Sequence, residues 1–81
     1  MTTPKRLASA EDIRMLVQDA VNARPELRQH NEALMVHEPF WHEDDQTGCN
    51  WSISGYMGLS KYADDFRIAL QDVRSSYNLG T

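Results

Sequence analysis

Seven side chains of the types that bind metals or move protons crowd one short stretch: His37, Glu38, His42, Glu43, Asp44, Asp45 and Cys49. Together they supply imidazole, carboxylate and thiolate donors, the ligands that zinc and calcium take. Their spacing argues against a prepared site. His37 and His42 are five apart, which on a strand puts them on opposite faces. That is not the four-residue spacing that aligns two histidines on a helix. Cys49 is the only cysteine, so no paired-thiolate zinc pattern exists. Read as a calcium loop from Asp44, the run places Gln46 third, Cys49 sixth and Gly55 twelfth. The loop needs Gly at the sixth place and Glu at the twelfth. A solvated acidic turn is the leading expectation, with His37, His42 and Glu43 as the alternative metal set. No cofactor is expected.

Covalent catalysis fares no better. A nucleophile needs a placed base or a lowered pKa, and Cys49 shares an alternating pattern with Trp51 and Ile53 that points it into the core, where thiols are usually inert. Ser52 and Ser54 lack the flanking glycines of a nucleophile elbow. Gly55 and Gly58 are too few for a phosphate-cradling loop. No catalytic residue is assigned, and an enzyme is the less favoured reading.

The aromatics point to recognition. All seven lie at or beyond Phe40, and at helix and strand spacing most serve packing. Phe40 and Trp41 are neighbours, so on a strand they face opposite ways. With Phe40 inward, Trp41 stands outward beside the acidic turn, the setting of an interface anchor. The expected interaction surface is Trp41, His42, Glu43, Asp44 and Asp45, with Tyr56 as a neighbour. The row Asn50, Ser52, Ser54 is expected to form the open face of the sheet.

The elements that must hold this surface are two helices and a hairpin. Ser9 caps the first helix, with Asp12 at capping-box spacing. Ile13, Leu16, Val17, Ala20 and Val21 make one apolar stripe, and Pro25 stops the helix near Ala23. Residues 25–37 read either as a helix or as a strand. The favoured reading is a helical turn over 25–31, then a strand from about Ala33 to Trp41 with Pro39 at an edge or bulge. Residues 42–48 form a turn, and Cys49, Trp51 and Ile53 alternate with polar residues in the clearest strand. A helix capped by Ser60 follows, its stripe running Tyr62, Phe66, Ala69, Leu70, Val73 and Tyr77. Asn78 or Gly80 is expected to end it.

This is the pattern of a small α+β domain. The N- and C-terminal amphipathic helices pack on a central antiparallel hairpin, in the order helix–strand–strand–helix, with a third strand or short helix near 25–32. Residues 1–8 are expected to be a loose arm and 9–81 the folded domain. At 81 residues the chain supports one core. Gln29 to Ser60 holds five acids and neither Lys nor Arg, so the net charge of −4 belongs to the middle. Such a middle repels phosphate backbones and disfavours nucleic acid. A protein partner, or a second copy in a homodimer, suits it better. No stretch approaches the roughly 20 apolar residues of a membrane span. The lone cysteine and the absence of a signal-like apolar run at the N-terminus fit the cytoplasm.

Overall fold

Ser9 caps the first helix as its sequence predicts. Its Oγ accepts the Asp12 amide at 3.2 Å, and α1 runs Ala10–Asn22 with Glu11 and Asp12 in the first turn. The computed structural model describes residues 5–80. Pro25 opens a short second helix, α2 (Pro25–Gln29), which is the helical turn favoured for that segment. Asn31 then takes a positive φ of 52°, a conformation Asn tolerates better than most residues. Ser60 does not cap the last helix. A 3₁₀ turn over Ser60–Tyr62 comes first, and α3 spans Ala63–Arg74 without a side-chain cap.

Between the helices lie four two-residue strands: β2 (Met35–Val36), β3 (Phe40–Trp41), β4 (Trp51–Ser52) and β5 (Tyr56–Met57). β2 pairs antiparallel with β5, and β3 with β4. Four steps separate Val36 from Phe40 and four separate their partners Tyr56 and Ser52. No residue is inserted, so the two pairs are halves of one hairpin.

The hairpin rotates at its middle. Near the base the His37 amide donates to Gly55 O at 3.0 Å, whereas near the tip the His42 amide donates to Asn50 O at 2.8 Å. His37 and His42 differ in parity, so the hydrogen-bonding positions shift phase between the halves. The buried positions shift with them. Leu34 and Val36 are buried at the base, and Cys49, Trp51 and Ile53 at the tip. The break falls at Pro39, which has no N–H to give to a ladder. The single strand expected from 33 to 41 is therefore two short ones, each half presenting a different pleat face to the core.

Two expectations for the chain ends are corrected. Residues 6–8 are not a loose arm: β1 (Arg6–Ala8) pairs in parallel with β6 (Tyr77–Leu79). Residues 1–4, the rest of that arm, lie outside the described residues. Nor does the last helix reach Tyr77, because Ser75 is its C-cap and the chain then extends into β6. Three-residue strands are too short to leave an alternating signature. The α+β class stands, while the simple helix–strand–strand–helix order gives way to β1, α1, α2, the hairpin, α3 and β6.

The core joins Ile13, Val17 and Val21 of α1 to Phe66, Ala69 and Val73 of α3, with Leu27, Tyr62 and Trp51 fully enclosed. Gly58 is needed where the chain leaves the hairpin. Its φ is +152°, and a Cβ there would lie 2.4 Å from Leu34 Cδ2.

Side-chain amides stand in for missing strands. Asn22 Oδ1 accepts the Leu34 amide at 2.8 Å, and its Nδ2 donates to Leu34 O at 3.2 Å. Asn50 does the same for Leu79, accepting its amide at 2.8 Å and donating to its carbonyl at 3.1 Å. Each Asn carries one acceptor and one donor group at the spacing of a peptide unit, so it can pair with one residue of a strand edge. In this way α1 grips the base of the hairpin and β4 grips β6.

Candidate functional site

The turn at the hairpin tip is built around Asp45. Its Oδ1 accepts the Thr47 amide at 2.8 Å, the Thr47 hydroxyl and the Cys49 amide at 3.2 Å. Its backbone receives Gly48 N at 2.9 Å and gives its own N–H to Cys49 O at 3.0 Å. Gly48 closes the turn at φ +78°, where Gly carries no Cβ penalty. Asp45 Oδ2 receives Arg74 Nη2 from the end of α3. The Thr47 hydroxyl first, then the Thr47 amide, the Arg74 guanidinium and the Cys49 amide, hold the Asp45 carboxyl well below the usual carboxylate range. Asp45 is thus the organiser of the turn, with its oxygens turned inward to the protein's own donors.

The rest of the tip is tied down from behind. Trp51 Nε1 donates to Tyr77 O at 2.9 Å, and Arg74 Nε donates to Trp51 O at 3.0 Å. Asn78 Nδ2 donates to Gly48 O, and Lys5 Nζ donates to Thr47 O, each at 3.1 Å. The cations nearest the turn, Lys5 and Arg74, are therefore already engaged. Asn50 is likewise committed to β6, so the expected open row of Asn50, Ser52 and Ser54 does not run free at its first member.

On the front of the tip the side chains are uncovered. Trp41 is 62% exposed although it pairs directly with Trp51, which is wholly buried. Phe40 is 49% exposed, which corrects the expectation that it points inward. The helices cover β4 and leave β3 as an outer strand. The phase of the His42 amide bond also directs the Trp41 N–H and C=O away from β4. The His42 ring lies 6.2 Å from that of Phe40, and its Nδ1 is 2.6 Å from Glu43 O. Glu43 and Asp44 are exposed, and neither forms an ion pair among the described residues.

Tyr56 is not part of this surface. It pairs with Val36 at the other end of the hairpin, its ring lies 5.0 Å from that of Phe66, and its hydroxyl donates to Leu59 O at 2.8 Å. The alternative metal set is not assembled either. His37 belongs to the base half and His42 and Glu43 to the tip, and no three His, Cys, Asp or Glu side chains gather among the described residues. Glu38 is exposed and forms no ion pair among the described residues. Cys49 is buried with Sγ 3.4 Å from Trp51 O.

The bracing roles of Arg74, Asn78 and Asn50 escaped the reading of the sequence, which placed Asn50 on an open sheet face and Asn78 at a helix end. The single useful signal was the Phe40–Trp41 pair itself, since a two-residue strand cannot bury both faces of an outer edge. A shallow groove elsewhere, between β1 and α1, is lined by Leu7, Met15, Leu16 and Tyr77 with Asp12 and Asp19 at its rim. No helix of the described residues is long and apolar enough to cross a membrane. No family model, no curated protein and no solved structure matches the chain.

Proposed function

We propose that the chain is a small protein-binding module that engages its partner through the outer edge of the hairpin tip, at Phe40 and Trp41. One observation carries this reading: Trp41 is largely exposed on a strand whose pairing partner Trp51 is completely buried. The fold has a use for one indole and leaves the other in solvent. Tryptophan is the residue most enriched among interface anchors. Covering the exposed part of Trp41 removes roughly 90–150 Å² from water, worth about 2–4 kcal/mol before the costs of association.

The turn behind this edge is braced by Asp45, Arg74 and Asn78, so the surface is presented in a preset shape. A rigid anchor loses less freedom on binding and gives more affinity for the same contact. Glu43, Asp44 and His42 form the polar rim.

The test is affinity capture with the wild-type chain and with Trp41→Ala, followed by reconstitution with the purified partner. The module reading expects a stoichiometric complex that Trp41→Ala abolishes while thermal stability is kept. Identical captured sets for both proteins, together with a mass in light scattering that does not change with concentration, would refute it.

A further inference from the structure

The exposed edge is apolar at its centre and acidic at its rim. The hairpin and the segment leading into it, Gln29 to Ser60, contain five acids and no Lys or Arg. Of these, Asp45 is satisfied by Arg74 and by its own turn, while Glu38 is exposed on the other side of Pro39 from the tip. Glu32 precedes the hairpin. At the tip itself, Glu43 and Asp44 are exposed, close in sequence to the Phe40–Trp41 edge and unpaired among the described residues. The cations that reach the tip, Lys5 and Arg74, bind Thr47 O and Asp45.

We infer that the occupant of the Phe40–Trp41 edge is an Arg- or Lys-rich polypeptide segment, held by Trp41 at its centre and by Glu43 and Asp44 at its rim. The inference rests on the docking reading above and adds the chemistry of the partner. Three features favour this occupant. A guanidinium or ammonium group stacks over an exposed indole with an attraction that an apolar or acidic side chain lacks. Two carboxylates with no internal partner steer and orient a cationic chain. The outward N–H and C=O of Trp41 offer an extended backbone a place to pair on an open strand edge.

A second copy of this chain fits less well. A two-fold contact brings the same patch against itself. Glu43 and Asp44 would then meet their own copies across the contact, with no free cation of the tip between them. The same carboxylates repel phosphate and disfavour nucleic acid.

The experiment uses fluorescence anisotropy with three labelled peptides of one design, alternating valine with arginine, with serine or with glutamate. The arginine peptide should bind the full chain, and the other two should not. Trp41→Ala should weaken that binding by about thirtyfold, the effect of losing an interface anchor. Glu43→Gln with Asp44→Asn should weaken it by about two- to fivefold per charge and flatten its salt dependence, as expected for rim ion pairs. Each variant is first checked for an unchanged thermal transition.

The outcomes separate the two claims. If the serine or glutamate peptide binds as tightly as the arginine peptide, and Trp41→Ala abolishes both, the edge docks partners but the basic-partner inference is overturned. If no peptide binds and the chain forms a dimer that Trp41→Ala dissolves, the occupant is a second copy and the inference is again overturned. If Trp41→Ala changes no binding of any kind, the docking reading falls with it.

Discussion

Replacing Asn50 by alanine tests whether a side-chain amide really serves as a strand in this fold. Asn50 accepts the Leu79 amide at 2.8 Å and donates to the Leu79 carbonyl at 3.1 Å. Alanine removes both bonds and leaves two backbone groups of a half-buried residue without those partners. A lost hydrogen bond of this kind is worth about 1 kcal/mol net, so the pair amounts to about 2 kcal/mol. That is a large share of a chain of this size, whose whole stability should be roughly 4–12 kcal/mol. In urea the unfolding midpoint should fall by roughly 1–2 M with the slope unchanged, and the thermal midpoint by roughly 8–16 °C. Tryptophan fluorescence reports the transition well, because Trp51 is buried with its Nε1 on Tyr77 O while Trp41 is already exposed. Ser52→Ala is the control, since Ser52 lies in the same polar row but its hydroxyl makes no side-chain hydrogen bond among those described for the tip. Asn50→Ala within about 0.5 kcal/mol of wild type, the range of an ordinary surface change, would show that water replaces the amide at no cost. The account of how β4 holds β6 would then be wrong.

Three further outcomes follow from the same structure. Tyr62 is buried and its hydroxyl has no partner among the described residues; Tyr62→Phe should therefore stabilise the chain by about 1 kcal/mol, and a loss of that size in urea unfolding would reveal a bond to that hydroxyl. The folded-state pKa of Asp45 lies below its unfolded value, chiefly through the Thr47 hydroxyl. The stability this adds is fully present above pH about 4 and is lost as the pH falls through the lowered folded pKa. Acid unfolding of Asp45→Asn should be correspondingly less steep below pH about 4, and superimposable profiles for the two proteins would remove Asp45 from that role. Arg24 Nε meets Asp65 Oδ1 at 2.9 Å across α1, α2 and α3, with Asp65 nearly covered; Asp65→Ala should cost about 1–3 kcal/mol, between the values for surface and buried pairs, and a neutral result by thermal unfolding would mark the pair as inconsequential.

Local signals in the chain were enough for the elements whose cause is local. A helix cap needs only Ser9 and the Asp12 amide, and an apolar stripe needs only the 3.6-residue period, so α1 and the stripe of α3 were legible. The strand around Trp51 was legible from its period of two. These features are written in residues a few positions apart, and the core they imply, Ile13, Val17, Phe66, Ala69 and Trp51, is the core that forms.

Tertiary structure alone decided the rest, because its causes lie far apart in sequence. β1 and β6 are three-residue strands at opposite ends of the chain, and neither has a pattern of its own; each exists because the other supplies its hydrogen bonds. Asn22 and Asn50 looked like solvated polar positions until Leu34 and Leu79 arrived to be paired. The half-turn at Pro39 changed which pleat face is buried, a matter of how the two halves of the hairpin meet α1 and α3. At the tip the division is sharpest. An acidic run with an aromatic pair is visible in the letters, but five carboxylates look alike there. Only the approach of Arg74 separates Asp45, whose charge is answered from within, from Glu43 and Asp44, which are exposed beside Trp41.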